Sequence, residues 1–205
     1  MKTRKEYRAA ALSKIRGNWT PLVLAMLVFM AVGGIAGSTT FAAPLVTIFV
    51  VLPIEVALYN CFLAFDRDQS QNGIIEGMFK KAFTGEYLHR VLGMFLMELF
   101  ICLWTCLLII PGIIKGLAYS MTPFILEEKP ELSAYDAIKY SEKLMKGHKT
   151  ELFLLYLSFI GWAILCVFTF GIGYLWLAPY IYVTLCEFYE DLKKETPLEG
   201  TVSGN

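Results

Sequence analysis

Long apolar runs alternate with short polar segments along most of the chain. Six runs stand out, at residues 20–38, 43–65, 89–110, 112–127, 150–170 and 172–190. A transmembrane helix needs about 20 apolar residues, within a range of about 17–25. The second, third and fifth runs fit this length well, whereas the fourth is shorter. The pattern predicts an all-α, polytopic membrane protein with six transmembrane helices.

The basic residues lie almost entirely on one side of this six-helix arrangement. All but one of the 18 lysine and arginine residues fall in the N-terminal segment, the loops after the second and fourth runs, and the C-terminal segment. Loops rich in lysine and arginine stay in the cytoplasm. The charges therefore predict three hairpins with both termini in the cytoplasm. If the fourth run did not cross, the basic loop 129–149 would lie outside, which the same rule disfavours.

Composition agrees with a membrane environment. The chain is 57% hydrophobic and only 18% charged, with a mean hydropathy of +0.56, whereas soluble domains are about 25% charged. The net charge is zero, so nothing indicates a nucleic-acid partner. We interpret residues 1–192 as one membrane domain and residues 193–205 as a flexible cytoplasmic tail.

The first apolar run follows a basic segment and resembles a signal peptide. The basic segment is long, however, and Pro44 directly after Ala42 and Ala43 is a poor cleavage context. A retained membrane helix is therefore the favoured interpretation.

Three basic, partly amphipathic segments precede the three predicted hairpins. In the third, Ser133 and Asp136 fit a helix N-terminal capping box, and Gly147 suits a helix end. Two placements stay open for such helices, either within the cytoplasmic interface or packed beneath the bundle. In the first placement four lysines would contact anionic lipid headgroups: Lys139, Lys143, Lys146 and Lys149.

The turn between the third and fourth runs is predicted at Pro111 and Gly112, on the outer side. Lys115 follows about 4–5 Å further along the helix. Its long stem can carry the ammonium group to the outer interface. Water and an outer-leaflet phosphate are the two partners open to it there.

Two acidic residues interrupt the second and third runs, Glu55 and Glu98. Counted at about 1.5 Å per residue, both lie near the middle of their helices. Charged groups inside a membrane are costly and typical of functional sites. If the two carboxyl groups face each other, they form a candidate proton or cation site. The alternative is that each is satisfied separately, by Tyr59, Asn60 or the backbone.

No catalytic or cofactor motif is present in the sequence. It has no HExxH, no Walker lysine motif and no G-x-S-x-G. Cys102 and Cys106 share a helix face, but no further ligand in the sequence completes a metal site, so they are interpreted as packing residues. We therefore predict a non-catalytic protein without cofactors, with a membrane enzyme as a weaker alternative.

Several motifs resemble an uncharacterised family of bacterial integral membrane proteins, domain of unknown function nine-seven-five. They are IIPGIIKGLAYSMTPFILEEKPELSAYDAIKYSEKLMKGHK, LSFIGW, TFGIGYLWLAPY, EFYEDL and the N-terminal SKIRGNW. The family is similar to the membrane domain attached to some glycerophosphodiester phosphodiesterases. The resemblance implies a six-helix bundle in a bacterial plasma membrane. It transfers no catalytic residue, and this chain has no phosphodiesterase domain.

Taken together, these features predict a lipid- or protein-interacting membrane scaffold or envelope factor. The expected partners are membrane lipids, and a membrane protein or a second copy of the chain. The alternative function is a small transporter or channel that uses Glu55 and Glu98.

Overall fold

The computed structural model describes residues 2–38, 43–68 and 74–195, and every regular element in these ranges is a helix. The helices are α1 Arg4–Ile15, α2 Trp19–Ser38, α3 Ala43–Val46, α4 Leu52–Asp68, α5 Ile74–Phe83, α6 Tyr87–Leu107, α7 Ile109–Tyr119, α8 Thr122–Glu128, α9 Ala134–Leu144, α10 Lys149–Leu157, α11 Ile160–Phe168 and α12 Tyr174–Glu195. A π-helical segment, Thr47–Val51, joins α3 to α4. The predicted all-α class is confirmed.

Five helical stretches are long and apolar enough to cross a membrane: Trp19–Ala36, Ala43–Asp68, Tyr87–Cys106, Ile109–Glu128 and Lys149–Phe168. The predicted sixth, at 172–190, is not among them. It belongs to α12, whose second half carries Glu187, Glu190 and Asp191. The structure thus has several apolar helices of membrane-spanning length, and the count of six crossings stays a prediction.

The turn of the middle hairpin lies at Leu108, so the prediction of a turn at Pro111 and Gly112 is wrong. Leu108 is extended, with φ −159° and ψ 134°, between the end of α6 and the start of α7. Proline tolerates the first helical turn because its missing N–H has no intrahelical acceptor there. Pro111 and Gly112 accordingly lie in the first turn of α7. Gly112 allows close contact, since a Cβ there would lie 2.8 Å from the Cα of Thr105.

Helix α9 packs against α6, α7 and α8, and its predicted start is confirmed. The Ser133 hydroxyl caps α9 by accepting a hydrogen bond from the Asp136 amide. The buried Ser141 hydroxyl fits the break between α7 and α8. It donates to the Ala118 carbonyl at 2.8 Å and accepts from the Met121 amide at 3.2 Å. These bonds satisfy backbone groups that the helix break leaves free.

The predicted tail begins too early. Helix α12 continues to Glu195, and Lys193 donates hydrogen bonds to the Glu128 carboxylate at 2.9 and 3.1 Å. The contact with Glu128 thus anchors the last turn of α12, which lies beyond the predicted start of the tail. The predicted outer turn at 39–42 and the tail residues 196–205 lie outside the described residues.

The fully buried large side chains cluster where α1, α4, α8 and the second half of α12 meet, a region that we call the base. They include Phe62, Phe65, Phe124, Phe188 and Tyr189. Two uncharged stretches project from it, which we call the middle tip, 99–114, and the C-terminal tip, 159–179. Their apolar side chains face outward, with Ile110 73% and Phe170 97% exposed. Apolar surface on this scale indicates contact with lipid or protein.

Candidate functional site

The base contains a layer of paired charges that links the first and last helices of the chain. Lys14 of α1 lies 2.9 Å from Oδ1 of Asp66 in α4 and also pairs with Glu187 of α12. Lys2 lies 2.5 Å from the other oxygen of Glu187 and 3.6 Å from Asp191. The Glu187 side chain is only 7% exposed. Because both lysines reach it, its charge is compensated despite burial.

A second group of charges joins α4, α8 and α12. Arg67 pairs with both Glu128 and Glu190, and its Nε donates to Glu190 at 2.7 Å. The Tyr189 hydroxyl donates to Glu128 at 2.7 Å, and Lys193 reaches the same carboxylate. Three partners thus satisfy the charges of two acidic residues. The arrangement is typical of a structural ion-pair network.

The pKa shifts of groups in α1 and at the end of α12 agree with this structural role. Burial alone would lower the pKa of Lys14, but its hydrogen bonds to Glu187 and Asp66 outweigh burial and raise it. Burial alone would raise the pKa of Asp191, but Lys2 and the Tyr7 hydroxyl outweigh burial and lower it. Both groups therefore stay charged near neutral pH.

Glu55 and Glu98, the predicted carboxylate pair, lie on α4 and α6, and these two helices pack against each other. Their environments differ, because Glu55 is half-buried whereas Glu98 is exposed on the surface of α6. A site in which the two carboxyl groups face each other stays a prediction, and Glu98 is open to the surroundings of the protein.

Lys115 has a partner within the protein, and its predicted contact with water or an outer-leaflet phosphate stays a prediction. Its ammonium group lies 2.6 Å from Oε1 of Glu142 in α9. It also lies over the rings of Trp104 and Tyr119, at 5.5 and 5.6 Å from their centroids. Because α9 packs alongside α6 and α7, the carboxylate of Glu142 lies within reach of the ammonium group. Lys115 is therefore a paired residue rather than a free headgroup contact.

The other predicted headgroup contacts lie on or after α9. Lys139, Lys143 and Lys146 are exposed, whereas Lys149 at the start of α10 is half-buried. The Lys139 ammonium group stacks over the neighbouring Tyr135 ring, 4.4 Å from its centroid. The opposite face of α9 is buried through Ala137, Ile138, Ser141 and Leu144. The helix thus packs against the bundle and presents lysines outward, and a position in the cytoplasmic interface stays a prediction.

An apolar cavity beside α1 was not predicted from the sequence. It has a volume of about 520 Å³ and lies between α1, the start of α2, α11 and α12. Its walls include Trp19, Trp162 and Trp176, and Arg8 lies at one end. The three tryptophans near helix ends are a sequence signal for this region, since they are typical of membrane interfaces. Their convergence on one cavity depends on tertiary contacts between distant segments.

Within the described residues, no group of three histidine, cysteine, aspartate or glutamate side chains is placed to hold a metal ion. The five cysteines are free thiols. No curated protein and no solved structure matches the chain. The model of a family described as protein of unknown function (DUF975) matches residues 44–196, most of the chain. By this match the chain belongs to the DUF975 family.

Proposed function

We propose that the protein is a non-catalytic membrane scaffold that binds anionic lipid headgroups through the exposed lysines of α9. The membrane is the plasma membrane of a bacterium, and both termini are in the cytoplasm. The observation that carries the proposal is the two-sided character of α9, with one face buried in the bundle, Lys139 and Lys143 exposed on the other, and the exposed Lys146 two residues after the helix. Each such lysine near an anionic surface contributes about 1 kcal/mol.

The depth of insertion differs between hairpins in this proposal. Lys115 is held by Glu142 of α9, and only seven residues, about 10 Å of helix, separate it from Leu108 at the turn. On the other arm, the exposed Glu98 lies about 15 Å from Leu108. The hydrocarbon core is about 30 Å thick. If α9 lies at the inner surface, the middle tip ends near the bilayer centre.

A hairpin that turns inside the bilayer is compatible with the charge distribution, because both of its ends stay in the cytoplasm. It also keeps Glu98 and Lys115 out of the bilayer centre, where charges are costly. The first pair of long helices is different, since α2 alone runs for 20 residues without a charge. In that case α6 and the α7–α8 stretch, the two arms of the middle hairpin, would not cross the membrane, and the number of crossings would be lower than the six predicted from charge.

Lipid titration of the purified full chain tests the role of α9. Native mass spectrometry in detergent counts the molecules of phosphatidylglycerol or phosphatidylcholine that stay bound. We expect a preference for phosphatidylglycerol that falls about fivefold for each lysine removed in Lys139→Gln, Lys143→Gln and Lys146→Gln. A matched control removes three exposed cations elsewhere, Arg4→Gln, Lys5→Gln and Lys80→Gln. An equal loss in the control would reject a specific role for α9.

A small transporter is the second candidate function, and the packing of α4, which carries Glu55, against α6, which carries Glu98, supports it. Exposure of Glu98 on the outer surface of α6 favours the scaffold. Proton or cation flux in proteoliposomes decides between them. A flux that disappears in Glu55→Gln, Glu98→Gln would favour the transporter. Similarity to the membrane domain of glycerophosphodiester phosphodiesterases stays a prediction, and no phosphodiesterase activity is proposed.

A further inference from the structure

We infer that the cavity beside α1 binds one phospholipid with an anionic headgroup, the phosphate at Arg8 and an acyl chain along the tryptophan-lined wall. This site is separate from the lysine face of α9, and it depends only on the placement of the C-terminal tip in the membrane. Its volume, about 520 Å³, lies within the range of about 300–1,000 Å³ typical of small-molecule sites.

Arg8 provides a cation with hydrogen-bonding capacity left over. Its Nε donates to the Tyr180 hydroxyl at 3.3 Å, and its Nη1 donates to the Ser158 carbonyl at 3.4 Å. Both bonds are long, and a guanidinium group has five N–H donors. Among the described residues no carboxylate forms an ion pair with Arg8, in contrast to Lys2 and Lys14 on the same segment. A phosphate can therefore bind the remaining donors in the bidentate manner that arginine favours.

The rest of the cavity suits a hydrocarbon chain. Its walls are mostly apolar and include Leu165, Cys166 and Trp162. The polar side chain at the far end, Thr169, is already satisfied, because its hydroxyl donates to the Cys166 carbonyl and accepts from the Gly173 amide. A ligand with polar groups along its whole length would leave those groups without partners. An amphiphile with one charged end has no such cost.

The dimensions fit a lipid of a single leaflet. Tyr180 and Ser158, which hold Arg8, each lie ten residues from the end of the tip, at Phe170 and Phe168 respectively. Along the arm that contains α11, ten residues span about 15 Å, half of a hydrocarbon core of about 30 Å. Arg8 is therefore at headgroup depth when the C-terminal tip reaches the bilayer centre. The acyl chain then runs parallel to α11 and α12. Trp162 and Trp176 line the cavity and are about half exposed, so the cavity is accessible from the side that faces the membrane.

Tryptophan quenching by brominated lipids tests this inference on the full chain in phosphatidylcholine nanodiscs. Two variants keep a single tryptophan, Trp162 at the cavity or Trp104 on α6 as the reference. A small fraction of the lipid is replaced by phosphatidylglycerol or phosphatidylcholine with a brominated acyl chain. We expect brominated phosphatidylglycerol to quench Trp162 with about fivefold higher apparent affinity than brominated phosphatidylcholine, the effect of one cation beside an anionic lipid. Trp104 should show a smaller preference.

Two pairs of variants separate the phosphate contact from the acyl pocket. Arg8→Gln should abolish the preference at Trp162, whereas Arg4→Gln, an exposed cation on the same helix, should keep it. Leu165→Phe narrows the cavity and should weaken quenching, whereas Val167→Phe, which points outward from the same helix, should not. If Arg8→Gln fails to fold, Arg8→Lys keeps the charge without the planar fork and should retain part of the preference.

Equal quenching by the two lipids in the parent chain, or an unchanged preference in Arg8→Gln, would overturn the inference. Soluble glycerol phosphate should not compete with brominated phosphatidylglycerol at Trp162, because it has no acyl chain to fill the apolar wall of the cavity. Competition by glycerol phosphate that matches the lipid would show that the headgroup alone binds, and would also overturn it. Removal of the three α9 lysines should leave the Trp162 preference intact, so failure here and failure of the proposed α9 role are distinguishable.

Discussion

The base and the tips of this protein differ in which side chains they bury and which they expose. In the base, largely buried acidic residues pair with partly exposed lysine and arginine residues around a core of large aromatic side chains. In the middle and C-terminal tips, the chain carries no charge and its large apolar side chains face outward. A water-soluble bundle would be polar outside along its whole length. The contrast is the one expected of a bundle with one end in water and its tips in lipid.

In our proposal, the position of this change along the bundle is set by charged residues whose partners hold them in place. In the middle hairpin the boundary is the Lys115–Glu142 pair, and in the C-terminal hairpin it is Arg8 against Tyr180. Beyond these residues the uncharged arms are about 10–15 Å long. If the base and the tips differ in this way, substitutions in the base should mainly change the free energy of unfolding. Substitutions in the tips should mainly change helix packing and membrane contacts.

Loss of a central carboxylate in the base should have the largest effect. Glu187→Ala leaves Lys2 with only the longer contact to Asp191, and leaves Lys14 with Asp66 alone. Breaking a buried pair costs about 3–5 kcal/mol, and we expect about 3 because Lys14 is a quarter exposed and keeps one partner. The free energy of unfolding in mixed micelles measures this loss. The control Glu76→Ala, an exposed residue of α5, should stay within about 0.5 kcal/mol.

A similar loss in both variants would mean that the paired charges of the base contribute no more than surface charges. The distinction between base and tips would then depend on apolar packing alone.

Close packing of α6 against α7 should produce the next largest effect. Gly112→Ala places a Cβ 2.8 Å from the backbone Cα of Thr105, which cannot move without displacing the helix. Overpacking of this kind costs about 1–3 kcal/mol. Gly116→Ala, one turn later in the same helix, meets open space and should be neutral or slightly stabilising. Thermal unfolding of the two variants should therefore shift in opposite directions, and equal shifts would show that the tip is loosely packed.

Sequence reasoning predicted the elements that depend on local patterns. The capped start of α9 at Ser133 follows from side-chain hydrogen bonds within four residues, and the apolar runs follow from composition. The turn at Leu108 was missed because Pro-Gly is a strong turn signal, and a proline is equally acceptable in a first helical turn. Local preference alone does not separate these two outcomes.

The contacts of the candidate sites depend on segments that are distant in sequence. Glu142 lies 27 residues from Lys115, and Arg8 lies 172 residues from Tyr180. No periodicity in the sequence relates such pairs. A count of helical rise along the two runs gives Glu55 and Glu98 similar depths, and whether they face each other stays open. A count of this kind says nothing about which side of its helix a residue occupies, so the exposure of Glu98 was not predicted.

If the middle tip ends inside the bilayer, a cysteine placed there should not react with a membrane-impermeant reagent. In a chain whose five cysteines are replaced, Ile110→Cys places one thiol at the most exposed position beside the turn. A membrane-impermeant maleimide added outside intact cells should leave it unmodified, and so should the same reagent after permeabilisation, because the tip ends inside the bilayer. Lys139→Cys on α9 should react only after permeabilisation, and Thr39→Cys in the predicted outer turn should react without it. Modification of Ile110→Cys from outside would show that the middle hairpin crosses fully, and would place Lys115 and Glu142 within the membrane.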